Sequence, residues 1–357
     1  MKSRFFYHRP TDWLLSISPR DGFFDGPEIL PSRISLSGFL KQSRGVGGSH
    51  VDNWDYYLLP TIARQRMGHV FYHHPEDKQF SIDFVHSDSE VIRARIEGYG
   101  EDVETKVLTY VLDREFQVVY TTRVGGGAVS EIEFNPSNAL ADMDDDNGTI
   151  VTRLLEIYEA LIERNEAEEG APVEAYKGID ISALSEVLDR TSWDGSTTDV
   201  AGRLASNLIL KHALPNANHR TAVAFIQFYL RRIEPKFSMP ETITEIDPQS
   251  FDWRDWVNEY INESKRLLTV RRKNVPLKYL REFGATVLER NHKVEIDLTA
   301  YELDMYPSEA KEVYARRHED LWIEFVANAV ERAGYPELKE MPGLSKSEFA
   351  EKIRELQ

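Results

Sequence analysis

Residues 199–232 read DVAGRLASNLILKHALPNANHRTAVAFIQFYLRR, and this stretch decides the fold. Up to His212 the apolar residues fall at helical spacing. From Thr221 to Arg231, Val223, Phe225, Ile226, Phe228 and Leu230 leave almost no polar face, so the second helix is expected at the buried centre of a helical domain. The loop Pro215-Asn216-Ala217-Asn218-His219-Arg220 joins the two. A helix start offers unpaired backbone N–H groups and partial positive charge, the small Ala217 lets a ligand approach the backbone, and Arg220 adds a planar fork of donors. Such a loop suits phosphate oxygens. His212, closing the first helix, can take a proton from an attacking hydroxyl near neutral pH, and the helix dipole is expected to favour its protonated form. A base beside an anion cradle is the minimum equipment for moving a phosphoryl or nucleotidyl group onto an alcohol.

Outward from this stretch the chain divides in three. Residues 1–140 form a β-rich region: the first 74 are rich in aromatics, Gly and Ser without a sustained period, and alternation follows in Phe80, Ile82, Phe84, then Val107, Thr109, Val111, then Phe116, Val118, Tyr120. Turns are expected at Gly98–Asp102 and at Gly125-Gly126-Gly127, a run without the Lys-Ser/Thr continuation of a phosphate loop. Residues 141–149, ADMDDDNGT, read as an acidic linker and helix start, since a calcium loop would need a terminal glutamate. An all-α domain over 148–250 and a C-terminal helical region over 251–357 complete an α+β fold.

With 60 acidic and 43 basic residues the net charge is −17, which repels nucleic-acid phosphates and anionic membranes. Nucleic acid is therefore not the expected partner. The absence of cysteine removes disulfides, thiolate nucleophiles and thiolate metal sites. No apolar run has the length of a signal peptide or a membrane span, so the expectation is a cytoplasmic chain with no membrane partner.

HALPNANHRTAV, residues 212–223, resembles the signature of the Fic/Doc family, HxFx(D/E)GN(G/K)R, and especially its Doc branch, where ANKRTAL follows an acidic residue. Upstream, GIDISALSEVLDRTSW at 178–193 is similar to the Doc-type GIRDxGLLESALARP segment, and the likeness extends over about residues 150–235. The resemblance implies a helical Fic/Doc (Fido) domain that transfers a phosphoryl group, or AMP, from a nucleoside triphosphate such as ATP to a protein hydroxyl, as a toxin-like or regulatory protein does. It implies His212 as general base, phosphate binding by Asn216, Ala217, Asn218, His219 and the neighbouring loop amides, and Arg220 as a phosphate clamp. A protein target is implied, and an inhibitor or antitoxin partner fits. The family's magnesium-holding acid falls at Asn216, whose neutral amide is a far weaker Mg2+ ligand. At His219, where AMP-transferring members have glycine and Doc has lysine, a bulky and conceivably cationic side chain is expected to crowd the phosphate path. Leu214 replaces a phenylalanine, and Val223 stands where AMP-transferring members carry a second arginine; both the His219 and Val223 positions favour Doc-like phosphoryl transfer. A flap that holds the target by strand addition is expected at 170–177. The Ser/Thr-xxx-Glu-Gly/Asn inhibitory helix is not found.

Blander readings stand beside these. His212 could cap a helix, Asn216 and Asn218 could simply build the turn, and Arg220 could be a structural ion-pair partner. A degenerate Fic/Doc domain that binds nucleotide or protein without chemistry is the alternative function, kept open by Asn216. His69, His73 and His74 contain an i, i+4 pair that would suit zinc on a helix, yet read first as structural or surface histidines. Lys265, Arg266, Arg271, Arg272, Lys273, Lys278 and Arg281 read first as a solvated helix face and second as a site for an acidic partner or nucleic acid.

Overall fold

The computed structural model describes residues 68–123, 127–128, 137–169, 174–175, 177–244, 252–290 and 293–356. The expectations for residues 1–67, for most of the 125–127 glycine run and for the strand after it lie outside these. The described part is mixed, with strands first and a mainly helical remainder, as the α+β reading requires. No helix among the described residues is long and apolar enough to cross a membrane.

The strands are β1 (His69–Phe71), β2 (His73–His74), β3 (Asp77–His86), β4 (Val103–Val111) and β5 (Glu115–Arg123), with helix α1 (Ser89–Glu97) between β3 and β4. They build an antiparallel sheet in the order β2-β3-β5-β4. In β5 the anticipated face is buried, with Phe116, Val118 and Tyr120 fully enclosed. In β4 the anticipated face is reversed: Val111 is 70 % exposed, while Leu108 and Tyr110 point into the core. A register shift between Ile82 and Phe84 breaks strict alternation in β3, so Val85 is buried and Phe84 is not. His69, His73 and His74 sit on strands, so the i, i+4 helical zinc pair does not form.

Next come β6 (Gly127–Ala128), α2 (Ser137–Ala141), α3 (Asp145–Glu169), β7 (Glu174–Ala175) and α4 (Ile181–Arg190). The acidic linker supplies the first turn of α3 through Asp145 and Asp146, which suits the helix dipole. Of the flap candidate 170–177, Glu174 and Ala175 pair antiparallel with Gly127 and Ala128; residues 170–173 and 176 lie outside the described set. Helix α5 (Thr197–Lys211) opens with a Ser196/Asp199 capping box and leads through the motif loop into α6 (Asn218–Ile233), which is buried along most of its length.

The remaining elements are β8 (Ile243–Thr244), β9 (Asp252–Trp253), α7 (Asp255–Glu282), β10 (Val287–Glu289), β11 (Glu295–Asp297), α8 (Pro307–Arg332) and α9 (Lys346–Arg354). They interlock with the earlier ones. Strand β1 pairs in parallel with β10, which pairs with β11, and the core that contains β3, β4 and β5 also takes Leu267, Val270, Leu277 and Leu280 of α7 and Tyr314 of α8. On the other side Phe349 of α9 packs its ring against Phe225, Phe228 and Tyr229 of α6. All described elements belong to one compact unit, Leu58–Gln357.

Helices α5 and α8 meet almost backbone to backbone. A Cβ added at Gly202 would lie 2.5 Å from Ile323 Cα and 2.6 Å from its nitrogen. Neither helix can yield without opening the packing behind it. Gly202→Val should therefore cost about 2 kcal/mol or more in urea unfolding, whereas Gly178→Ala, with nothing within 4 Å of the added carbon, should stay within about 0.5 kcal/mol of the wild type.

Candidate functional site

The motif loop is framed by two residues in the left-handed region, His212 (φ 52°) as the cap of α5 and Ala217 (φ 55°) as the residue before α6. Neither is glycine, so each conformation costs about 1 kcal/mol and is held by its surroundings. Asn218 does much of the holding. Its Oδ1 accepts from the Leu214 N–H at 3.2 Å, and its Nδ2 donates to the carbonyls of Leu214 at 3.1 Å and Asn216 at 3.4 Å. This is the turn-building role, carried out by the residue to which the resemblance gives phosphate. Asn216 likewise turns inward, its Oδ1 accepting from the Ala217 N–H at 2.6 Å. No side chain caps the start of α6.

The six motif residues do not all face one way. Arg220 reaches α3, where its guanidinium donates to Asn165 Oδ1 next to Tyr158. His212 and His219 face α7 and the β10 hairpin instead. His219 Nε2 is hydrogen-bonded to Ser264 Oγ at 2.9 Å, Ser264 Oγ to His318 Nε2 at 2.7 Å, and His318 Nδ1 to Ser206 Oγ at 2.7 Å. One polar chain thus joins α6, α7, α8 and α5, and Ser206, Ser264 and His318 are fully buried. His219 is neutral, its pKa pushed well below the usual value by burial and by the neighbouring His318 and Lys265, so the expected cationic side chain in the phosphate path is corrected.

The protonation expected at His212 is corrected too. Its pKa falls to about 4, first through burial and then through the positive charges of Arg272 and Lys177, with a further contribution from Arg290. Burial and these charges outweigh the modest help of the helix end, and Lys177 also donates to the His212 carbonyl. Arg290 donates through Nη1 to the Lys265 carbonyl and to Thr269 Oγ1, both at 2.6 Å, and its guanidinium lies 5.0 Å from the centre of the Tyr72 ring.

Lys177, Lys265, Arg272 and Arg290 form no ion pair among the described residues. Asp180 favours the charge of Lys177. His212, Lys265 and Arg290 are half-buried and Arg272 is exposed, yet burial is the leading cause of the lowered pKa in all four. The α7 residues that sequence reading placed on a solvated face divide: Arg266, Lys273, Lys278 and Arg281 pair with Glu263, Asp83 and Asp304, Arg271 donates to the Lys311 carbonyl at 3.0 Å, and Arg272 and Lys265 act on His212 and His219 respectively. Their spacing of seven, two helical turns, was the available signal. Lys177, Arg290 and His318 carried none.

The buried histidines set an acid limit on stability. His73 and His212 titrate at about 4 and His318 at about 3. Their folded pKa values lie below the unfolded value near 6.5, so the unfolded chain binds more protons as pH falls. Stability is full above that value and is lost as pH drops toward 4. Between pH 7.5 and 5.0, where most carboxylates are ionised in both states, urea unfolding should lose about 1 kcal/mol or more per histidine. His318→Gln should flatten that slope; an unchanged slope would contradict the assignment.

No curated protein and no solved structure matches the chain. Residues 66–357, which hold every element described above, match a family of unknown function, and the chain belongs to that family, DUF8172.

Proposed function

We propose that the chain is a transferase of the Fic/Doc kind, which moves a phosphoryl group, or AMP, from a nucleoside triphosphate to a protein hydroxyl. The observation that carries this reading is the neighbourhood of His212: the uncapped start of α6 six residues on, and the charges of Arg272, Lys177 and Arg290, which form no ion pair among the described residues. Neutral His212 accepts the proton of the attacking hydroxyl. The new O–P bond forms as the bond to the leaving group breaks, releasing ADP in phosphoryl transfer or pyrophosphate in AMP transfer. A polyphosphate next to His212 raises its pKa by charge attraction, so the ring becomes a better base when substrate is bound. Arg220, engaged with Asn165, leaves the larger share of phosphate binding to the cations around His212.

A second reading has its own support. Asn216 replaces the family's acid, and its oxygen is taken up within the loop. A nucleotide-binding module without turnover would use the same residues. The two part in one assay. Wild type and His212→Ala are incubated in cell lysate with γ-labelled and, separately, α-labelled ATP, with magnesium and with EDTA. The transferase gives label that falls about 100-fold or more in His212→Ala. Label from the γ position alone identifies phosphoryl transfer, and label from the α position identifies AMP transfer. Nucleotide binding with no His212-dependent label supports the module instead.

A further inference from the structure

We infer that His69, Glu289 and Glu295 form a binding site for a divalent transition ion, zinc above all, which ties β1 to the β10–β11 hairpin. The site shares no residue with the motif loop and stands apart from the transferase reading.

Three adjacent strands bring the ligands together. Val70 of β1, Leu288 of β10 and Ile296 of β11 are register partners, and all three are fully buried. Side chains alternate along a strand, so the neighbours His69, Glu289 and Glu295 stand on the opposite face of the same sheet. Glu289 and Glu295 are directly opposite across the antiparallel pair. His69, on the strand beside them, places its Nδ1 4.0 Å from a Glu289 carboxylate oxygen. One ring nitrogen and one oxygen from each carboxylate all lie within 4.8 Å of one another. The backbone fixes these positions. Just before His69, the Gly68 carbonyl accepts from the N–H groups of Thr286 at 2.8 Å and Val287 at 3.1 Å, and the hairpin closes where the Arg290 N–H donates to the Val294 carbonyl at 2.8 Å. Gly68 lies so close to β10 that an added Cβ would sit 2.4 Å from Thr286 Oγ1.

The donor set suits a metal. His69 Nδ1 is enclosed by protein and makes no hydrogen bond. Buried polar atoms nearly always have a partner, and an imidazole nitrogen beside two carboxylates finds one in a cation that accepts its electron pair. Two carboxylates facing each other across a strand pair repel, and a dication between them turns that repulsion into attraction. Arg266, whose Nε donates to the Glu295 main-chain carbonyl at 2.9 Å, has its charge paired with Glu263 at 3.1 Å. Mixed nitrogen and carboxylate ligands select zinc and its neighbours over magnesium and calcium, which take all-oxygen shells. Zinc bonds of about 2.1 Å put tetrahedral ligands about 3.4 Å apart, so the three side chains have roughly 1 Å to close, and a fourth position is left for water. The partners of His69 are thus not His73 or His74 but two carboxylates more than two hundred residues further on.

The test is isothermal titration of the chelator-stripped full chain with zinc chloride and, separately, magnesium chloride, repeated on His69→Gln and Glu295→Gln. Thermal unfolding of each protein is followed in EDTA and in zinc. The expected result is one zinc per chain, a higher unfolding midpoint in zinc, and far weaker magnesium binding. Either variant should weaken zinc by about 100-fold or more and lose the zinc-induced rise in midpoint. Glu295→Gln keeps the size and shape of an exposed side chain, so its midpoint in EDTA should match the wild type and exclude a folding defect as the cause. A wild-type chain that does not bind zinc overturns the inference. Wild-type zinc affinity in either variant also overturns it, since the ion then sits elsewhere. Equal affinity for magnesium and zinc does the same, since a nitrogen ligand then takes no part.

Discussion

A single buried hydrogen-bond chain, Ser206 to His318 to Ser264 to His219, fixes how four helices meet and how the motif loop is presented. Each hydroxyl has one proton to give, so the chain can run in either direction with both rings neutral, but every member needs its neighbour. Removing one leaves the next unsatisfied in a site closed to water, which costs more than the bond itself contributed. Around this chain the packing is apolar and close: Trp322 lies against both His219 and His318, and Gly202 lets α5 and α8 touch. The loop between α5 and α6 is thus pinned from behind by polar contacts and from the sides by rigid helices.

That pinning allows the site its unfavourable features. His212 and Ala217 hold left-handed backbone conformations, His212 is kept neutral, and Arg272, Lys177 and Arg290 act on it without an ion-pair partner among the described residues. Each would relax on an isolated loop. Here the Asn218 bridge to Leu214, the Lys177 contact to the His212 carbonyl and the anchoring of Arg290 between α7 and Tyr72 leave no easy way to do so. Strain and uncompensated charge concentrated at one place are the pattern expected where a ligand completes the structure.

The parts of the fold that periodicity records were legible in advance. The buried α6, the three long strands and the acidic start of α3 each follow from a local pattern of side chains. The missing pieces depend on distant pairing. Strand β10 exists because β1, more than two hundred residues earlier, lies beside it, and the buried face of β4 was set by its partner β5, not by its own alternation. The motif loop identified the place of the candidate site, yet Asn216 and Asn218 serve to build the turn. The cations that face His212 come from segments with no shared motif. Only the Lys265–Arg272 spacing hinted at them, and ion pairing of the neighbouring basic residues masked that hint.

The central claim is that phosphate binds beside His212 and the start of α6. A crystal structure of the full chain with ATP tests it most directly. The account requires the triphosphate to lie against His212 and the first turn of α6, with its oxygens on Lys265, Arg272 or Arg290. A nucleotide bound elsewhere, with those cations turned away or paired with carboxylates, would contradict it.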